Sequence, residues 1–288
     1  MLKKEILIKK ASGHLEPFDP RKLLQSLNVS GADERLAKEI LSEIEAWLKP
    51  EVSTKKIYAK ALGLLRQKTV SAAGKYRVKE ALMELGDNGH PFEIFVGEIF
   101  KKLNYEVEVG KILQGKSITH EMDVIATKEK NQHLIECKYS QFDSRYVSIQ
   151  VPLYVHSRVQ DIIAHRKKED AFRGFTFTGW VATNNRFSPD SVKYAEDYGL
   201  SLLSWNYPKE YSLRYLIEKH NLFPVTILQS LNTKEKEKLI TNKIVTCNAL
   251  FNNLEHLVAL DIPEKRKKIL LAELNAINNK TTHKNNTK

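Results

Sequence analysis

Near the start of the chain, apolar residues fall into two short runs, Glu5-Ile6-Leu7-Ile8-Lys9-Lys10 and Leu15-Glu16-Pro17-Phe18, on either side of the polar Ala11-Ser12-Gly13-His14. Short apolar runs flanking such a turn predict a β-hairpin. The spacing then lengthens to that of helices. Asp19-Pro20 supplies an N-cap and a first-turn proline for a helix through Leu23, Leu24 and Leu27, and Asp33 lies near the start of another with Leu36, Ile40, Ile44 and Leu48 on one face. Ser53 or Thr54 caps a third helix, in which Ile57, Ala61, Leu64 and Leu65 repeat at helical spacing. The pattern predicts a small α+β domain over residues 1–86.

Gly86, Gly89 and Pro91 then interrupt the chain. Phe92, Phe95, Val96, Ile99 and Leu103 form a helical stripe, after which the period shortens to that of strands, predicted over 105–109, 122–126 and 133–138. A long helix fits 144–165, a strand 178–183, a helix from Ser188-Pro189-Asp190 to Tyr198, and a last strand 200–204. The order α-β-β-β-α-β-α-β makes residues 89–208 an α/β domain, a mixed sheet with helices on both faces. From about Tyr215 the β-signal disappears, and helices at 224–231, 234–239, 249–260 and 263–277 predict a small all-α domain over 216–278. The apolar-poor stretch 279–288 reads as a disordered tail.

Composition narrows the partners. The 288 residues are 42% hydrophobic, enough for more than one core, and carry a net charge of +11, which favours a polyanion, nucleic acid first. Residues 232–288 hold eleven Lys+Arg against six Asp+Glu, a local excess of +5. No apolar run reaches the length of a spanning helix, so no membrane partner is expected and the location expected is cytoplasmic. Cys137 and Cys247 are too few and too far apart for a disulfide framework or a zinc knuckle. In that setting the sequons at Asn279 and Asn285 carry no glycosylation meaning.

The chemistry centres on His120-Glu121-Met122-Asp123 and Ile135-Glu136-Cys137-Lys138. Strand side chains alternate, so Glu136 and Lys138 emerge on one face while Cys137 points to the other, as a small buried residue. Asp123 can join that face from the neighbouring strand. Two converging carboxylates call for a cation, and hard oxygens without His or Cys select Mg²⁺ over zinc. With the Lys138 ammonium beside them, these are the parts of phosphodiester hydrolysis. His120 reads as a loop residue.

These residues resemble the PD-(D/E)xK nucleases, and among them the Mrr-type restriction endonucleases. The resemblance implies a restriction-endonuclease-like fold over roughly residues 89–208, Asp123 and Glu136 as metal ligands and Lys138 as the residue assisting the water. It further implies a helix carboxylate, for which Glu98 is the candidate, as ligand to a second or water-bridged metal, and a site-facing Gln on the next helix, for which Gln150 is the candidate. Met122 departs from the motif, standing where the superfamily's name places Pro.

The N-terminal Lys9-Lys10, Gly13, Glu16-Pro17-Phe18-Asp19, Lys22 and Thr54 resemble an ATP-cone, a nucleotide-sensing domain. That resemblance implies ATP or dATP as a regulatory effector held by Lys9, Lys10, Glu16, Lys22 and Thr54. Here Ala11 replaces an Arg usual after the matched Lys. Two C-terminal turns, Asn242-Lys243 and Asp261, are similar to helix-hairpin-helix DNA-binding modules but lack their turn Gly. The function expected is an Mg²⁺-dependent endonuclease acting on DNA under nucleotide control, working as a homodimer or higher oligomer where it cuts both strands. A non-cleaving nucleotide-responsive regulator and an RNA-processing or repair nuclease are the alternatives.

Overall fold

In the computed structural model of the chain, residues 6–10, 12–143 and 145–278 are described. The expected tail at 279–288, its sequons and the substitution at Ala11 lie outside them. The chain divides into two compact units. One holds residues 1–78, 227–230 and 263–288, and the other residues 79–226 and 231–262. Residues of the expected all-α domain are therefore distributed over both units.

In the first unit, β1 (Leu7–Lys9) and β2 (Leu15–Pro17) pair antiparallel as the expected hairpin. Helices α1 (Pro20–Val29), α2 (Glu34–Trp47), α3 (Thr54–Lys68) and α4 (Val70–Tyr76) follow. Asp19, Asp33 and Ser53 cap the first three, each accepting a bond from a backbone N–H one turn inside the helix. Their apolar faces meet in one core with Ile8, Leu27, Ile40, Ile44, Ala61 and Leu65 buried. The last helix, Glu264–Asn278, belongs to this unit and packs against α4.

The second unit runs through α5 (Val78–Met83) and α6 (His90–Lys102) into a sheet of β3 (Glu106–Gln114), β4 (Thr119–Lys128) and β5 (Asn131–Lys138). A short β6 (Tyr146–Val147) precedes α7 (Gln150–Arg166), which crosses over to β7 (Thr176–Thr183). After β8 (Arg186–Phe187) and α8 (Pro189–Tyr198) comes β9 (Ser201–Leu203). The sheet order is β3-β4-β5-β7-β9, antiparallel across the first three strands and parallel across the last three. This is the expected mixed sheet flanked by helices.

The alternation of β5 sorts its two faces. His133 and Tyr139 meet Phe100 and Phe92 of α6, while Leu134 joins a core with Val155, Val159 and Ile162 of α7. Beyond the sheet, α9 (Leu213–His220), α10 (Thr233–Thr241) and α11 (Cys247–Asn252) complete the unit. The helix expected at 224–231 is only a 3-10 turn at Val225–Ile227, and the one expected at 249–260 is α11 followed by a 3-10 segment, Leu254–Leu260.

Candidate active site

Asp123 lies where the sheet opens. Pairing of β4 with β5 begins at Val124↔Ile135, so Asp123 is the first β4 residue beyond it. On the other side, the β3 partners step from Val109 to Lys111 past Gly110, whose φ of 63 is a left-handed conformation that glycine adopts without a Cβ penalty. With no β4 carbonyl opposite it, the Cys137 N–H donates instead to Asp123 Oδ2 at 2.7 Å. That bond holds the carboxylate at the open end of β5, next to Glu136.

Glu136 is buried, its side chain 5% exposed, and both oxygens accept. Lys138 Nζ donates to Oε1 at 2.8 Å and Tyr154 OH to the same oxygen at 2.7 Å, while Arg158 Nη1 donates to Oε2 at 2.8 Å. Arg158 also donates to the Glu121 carbonyl, tying α7 to β4. The Lys138 ammonium stands 5.4 Å from the centre of the Tyr154 ring. An ion pair this deep repays its desolvation only when further hydrogen bonds support the carboxylate, as Tyr154 does here on Oε1. The single described donor on Oε2 leaves that oxygen room for a further partner.

The two carboxyls differ in their support. Burial first, then the charge of Glu136, push the Asp123 carboxyl up to about 7, with Glu93 adding to the rise and the Cys137 N–H and Lys138 opposing it. Burial works against the Lys138 charge, but hydrogen bonds to Glu136 and Tyr154 outweigh it and hold the ammonium above the ordinary lysine value. Burial also raises the Tyr154 phenol, so it stays protonated and donates. Cys137 is wholly buried and its thiol is pushed far up, which removes it as a nucleophile.

The structure thus brings Asp123, Glu136 and Lys138 together. Glu98 pairs with Lys101 on its own helix at 2.7 Å, and an α6 carboxylate whose charge raises Asp123 is Glu93, which lies 2.9 Å from His90 Nδ1. Gln150 is exposed at the first turn of α7. It begins a stripe with Tyr154 and Arg158 at four-residue intervals, and the described hydrogen bonds from this helix to Glu136 come from those two. His120 is on β4 rather than in a loop, bonded to Asp161 at 2.9 Å. Tyr154, Arg158 and Glu93 were not among the expected site residues. Their sequence signal was the helical spacing from Gln150 and the position of Glu93 in the first turn of α6.

Among the described residues, no group of three or more His, Cys, Asp and Glu gathers closely enough to hold a metal ion by itself. Mg²⁺ does not require one, since it commonly takes one or two carboxylates and completes its octahedron with water and phosphate oxygens. Asp123 and Glu136 supply such hard donors, and the repulsion expressed in the raised Asp123 value is of the kind a divalent cation relieves. The residues fit the ion.

In the first unit, Lys10, Glu16, Lys22 and Thr54 line one cleft together with Phe18, Tyr58 and Tyr76. Glu16 lies between two ammonium groups, 2.9 Å from Lys10 and 3.6 Å from Lys22. The Tyr58 and Tyr76 rings stack at 4.9 Å. Lys9 is not among the lining residues; by strand alternation it takes the face opposite Ile8 and Lys10.

Comparison with known proteins agrees with the sheet. Residues 87–206 match the Mrr catalytic-domain family described as restriction endonuclease, and residues 223–278 match the family described as AF1548-like, C-terminal. An uncharacterized protein of Archaeoglobus fulgidus is 27% identical over 179 residues, 62% of this chain and 97% of that protein. The crystal structure of AF1548, a protein of unknown function, is similar with a TM-score of 0.54 and 26% identity, covering 66% of this chain and 98% of that one. A further match is the MspJI restriction endonuclease in complex with a 27-mer oligonucleotide, at 14% identity and a TM-score of 0.31 over 68% of this chain and 40% of that one. By the family matches, residues 87–206 are similar to the restriction-endonuclease family and residues 223–278 to the AF1548-like C-terminal family.

Proposed function

We propose that the chain is an Mg²⁺-dependent endonuclease that hydrolyses phosphodiester bonds of DNA. The observation that carries this reading is the meeting of Asp123 and Glu136 at the open end of β4 and β5 with the Lys138 ammonium bonded to Glu136 at 2.8 Å. When bound by the two carboxylates, Mg²⁺ supplies the charge that polarises the phosphoryl group and acidifies water. The chain's residues do the rest. Lys138, kept charged by Glu136, orients the attacking water and offsets negative charge developing on the phosphate. Arg158 and Tyr154 fix Glu136 so that its position does not depend on the substrate. Glu93 joins Glu98 as a candidate helix carboxylate, because its charge is among those that raise Asp123.

Two finer roles accompany it. The cleft of Lys10, Glu16, Lys22 and Thr54 is read as the ATP or dATP site of a regulatory ATP-cone, with Tyr58 and Tyr76 offering aromatic surface for a base. In the C-terminal region, Lys243 and Asp261 adopt φ of 64 and 50 at the turns where a helix-hairpin-helix would have Gly, which favours a DNA-holding role for these turns.

The test is incubation of the full chain with supercoiled DNA, single-stranded DNA and RNA, each with Mg²⁺ or EDTA. Wild-type protein should cut DNA with Mg²⁺ alone. Asp123→Ala and Lys138→Ala should each lower cleavage by at least about 100-fold, as loss of a charge-stabilising group does, while leaving DNA binding largely intact. Undiminished cutting by both variants overturns the site; binding without cutting by wild-type protein replaces the enzyme with a regulator, and cutting of RNA alone replaces the substrate.

A further inference from the structure

The segment between β5 and α7 leaves the site two residues after Lys138 and returns to it at the helix carrying Tyr154 and Arg158. Its base is fixed. Asn184 and Asn185, both fully buried, bind it through Ser140 N (3.0 Å), Ser140 O (2.7 Å) and Phe142 O (2.7 Å). Tyr146 stands in β6 directly opposite Arg186 of β8, and the next pair along, Val147 and Phe187, is buried in the core. On this fixed base two aromatic rings point outward, Phe142 at 59% exposure and Tyr146 at 55%. Each has a guanidinium over it: Arg145 is 5.2 Å from the Phe142 centroid and Arg186 is 4.7 Å from that of Tyr146.

Exposed rings on backbone held at Ser140, Phe142, Tyr146 and Val147 cost apolar hydration that folding them in would avoid. Arginine-backed rings suit a partner offering flat π-faces and negative charge at short intervals. Nucleobases and their phosphates offer both, whereas an apolar protein surface would leave the guanidinium groups desolvated and unpaired. A paired duplex hides its base faces within the stack. We propose that Phe142 and Tyr146 stack on unpaired bases of the DNA strand beside the scissile phosphate while Arg145 and Arg186 hold the adjoining phosphates, so that the substrate is single-stranded or locally opened DNA. This rests on the nuclease reading above and specifies its substrate.

The experiment uses the full chain in EDTA with oligonucleotides carrying 2-aminopurine, either single-stranded or fully paired. Wild-type protein should bind the single strand more tightly than the duplex and quench its fluorescence. Phe142→Ala/Tyr146→Ala should bind the single strand roughly tenfold or more weakly and lose the quench, with a change of under about twofold on the duplex, since base–ring stacking is what is removed. Phe142→Leu/Tyr146→Leu, which keeps apolar bulk and so guards against misfolding, should lose the quench equally. Equal affinity and quench in wild type and both variants overturn the proposal, as does a wild-type preference for the duplex. Cleavage of supercoiled DNA with Mg²⁺ is measured in parallel. Its absence in wild-type protein defeats the nuclease reading, whereas cutting with an unaffected quench in both variants defeats the stacking alone.

Discussion

The charge of Glu136 adds to the cost of ionising Asp123, and the chain supports the two carboxyls unequally. Glu136 has three side-chain donors, two of them cationic; Asp123 has one backbone N–H. Strand alternation made Glu136 and Lys138 legible as one face and Cys137 as the other, because that relation is local. Tyr154 and Arg158 were not legible, since a helix twenty residues away meets Glu136 only through the crossover between β5 and β7. The part played by Glu93 was hidden for a related reason: both it and Glu98 flank the apolar stripe of α6, and only the packing of that helix brings the charge of Glu93 to bear on Asp123. The raised Asp123 value makes a signed prediction. A carboxyl whose folded pKa is near 7 against an ordinary 3.8 contributes stability that is fully present below the lower value and is lost as pH rises through the higher one. In EDTA, the wild-type urea midpoint should therefore fall between pH 4 and 7 relative to Asp123→Asn, which keeps an acceptor for Cys137 N–H without the charge. By pH 8 the variant should be more stable by on the order of 1–3 kcal/mol. Parallel profiles for the two proteins would refute the charge assignment.

At the level of elements, existence was more legible than extent. The strand expected at 105–109 runs on to Gln114 as β3, because the hairpin partner β4 supports it well past the apolar residues. The helix expected from Ser144 starts only at Gln150. Tyr146 and Val147 are taken by pairing with β8, a contact from forty residues away that no local pattern announces. By contrast, α8 matches its expected span because Ser188, Pro189 and the left-handed Gly199 mark both of its ends chemically. The crossover of α7 over β7 depends on one small residue. A Cβ on Gly179 would come within 3.2 Å of both Val159 methyls and 2.7 Å of a Leu200 methyl. Leu200 can swing away, but Val159 is β-branched and buried, so α7 itself has to move. Gly179→Ala is expected to cost about 1–3 kcal/mol in urea denaturation and, by shifting Tyr154 and Arg158 from Glu136, to slow cleavage. An unchanged midpoint would mean that the helix has slack at this crossing.

For the molecule as a whole, the C-terminal charge excess and the nucleotide cleft fall in the same unit, the one that holds residues 1–78 and 263–288. The net charge of +11 was read as a polyanion signal, and part of it resides in the C-terminal region. Removing that region is not a clean test, because Leu270, Leu274 and Ile277 of the last helix are buried. Replacing the exposed Lys234, Lys243, Lys265 and Lys268 with Gln keeps the core. Each one that contacts a phosphate should lower the slope of log affinity against log salt by about 0.9 on duplex DNA, without changing the Mg²⁺ requirement. The cleft of the first unit makes the other molecular prediction. Glu16 already neutralises Lys10 and Lys22, and these pairings hold its carboxyl below the ordinary glutamate value. A triphosphate entering the cleft has to take the two ammonium groups from Glu16, and it can do so because it brings more charge than one carboxylate. Lys10→Ala should then weaken ATP and dATP binding in calorimetry by roughly 10- to 100-fold, the range of a lost charge-assisted hydrogen bond. Lys9→Ala, on the opposite face of the strand, should leave it nearly unchanged. Because a ligand that prefers one of two states shifts their balance without being hydrolysed, bound nucleotide should change the cleavage rate of wild-type protein and not that of Lys10→Ala. If neither nucleotide binds at millimolar concentration, or if Lys9→Ala and Lys10→Ala weaken binding alike, the cleft is not the phosphate site.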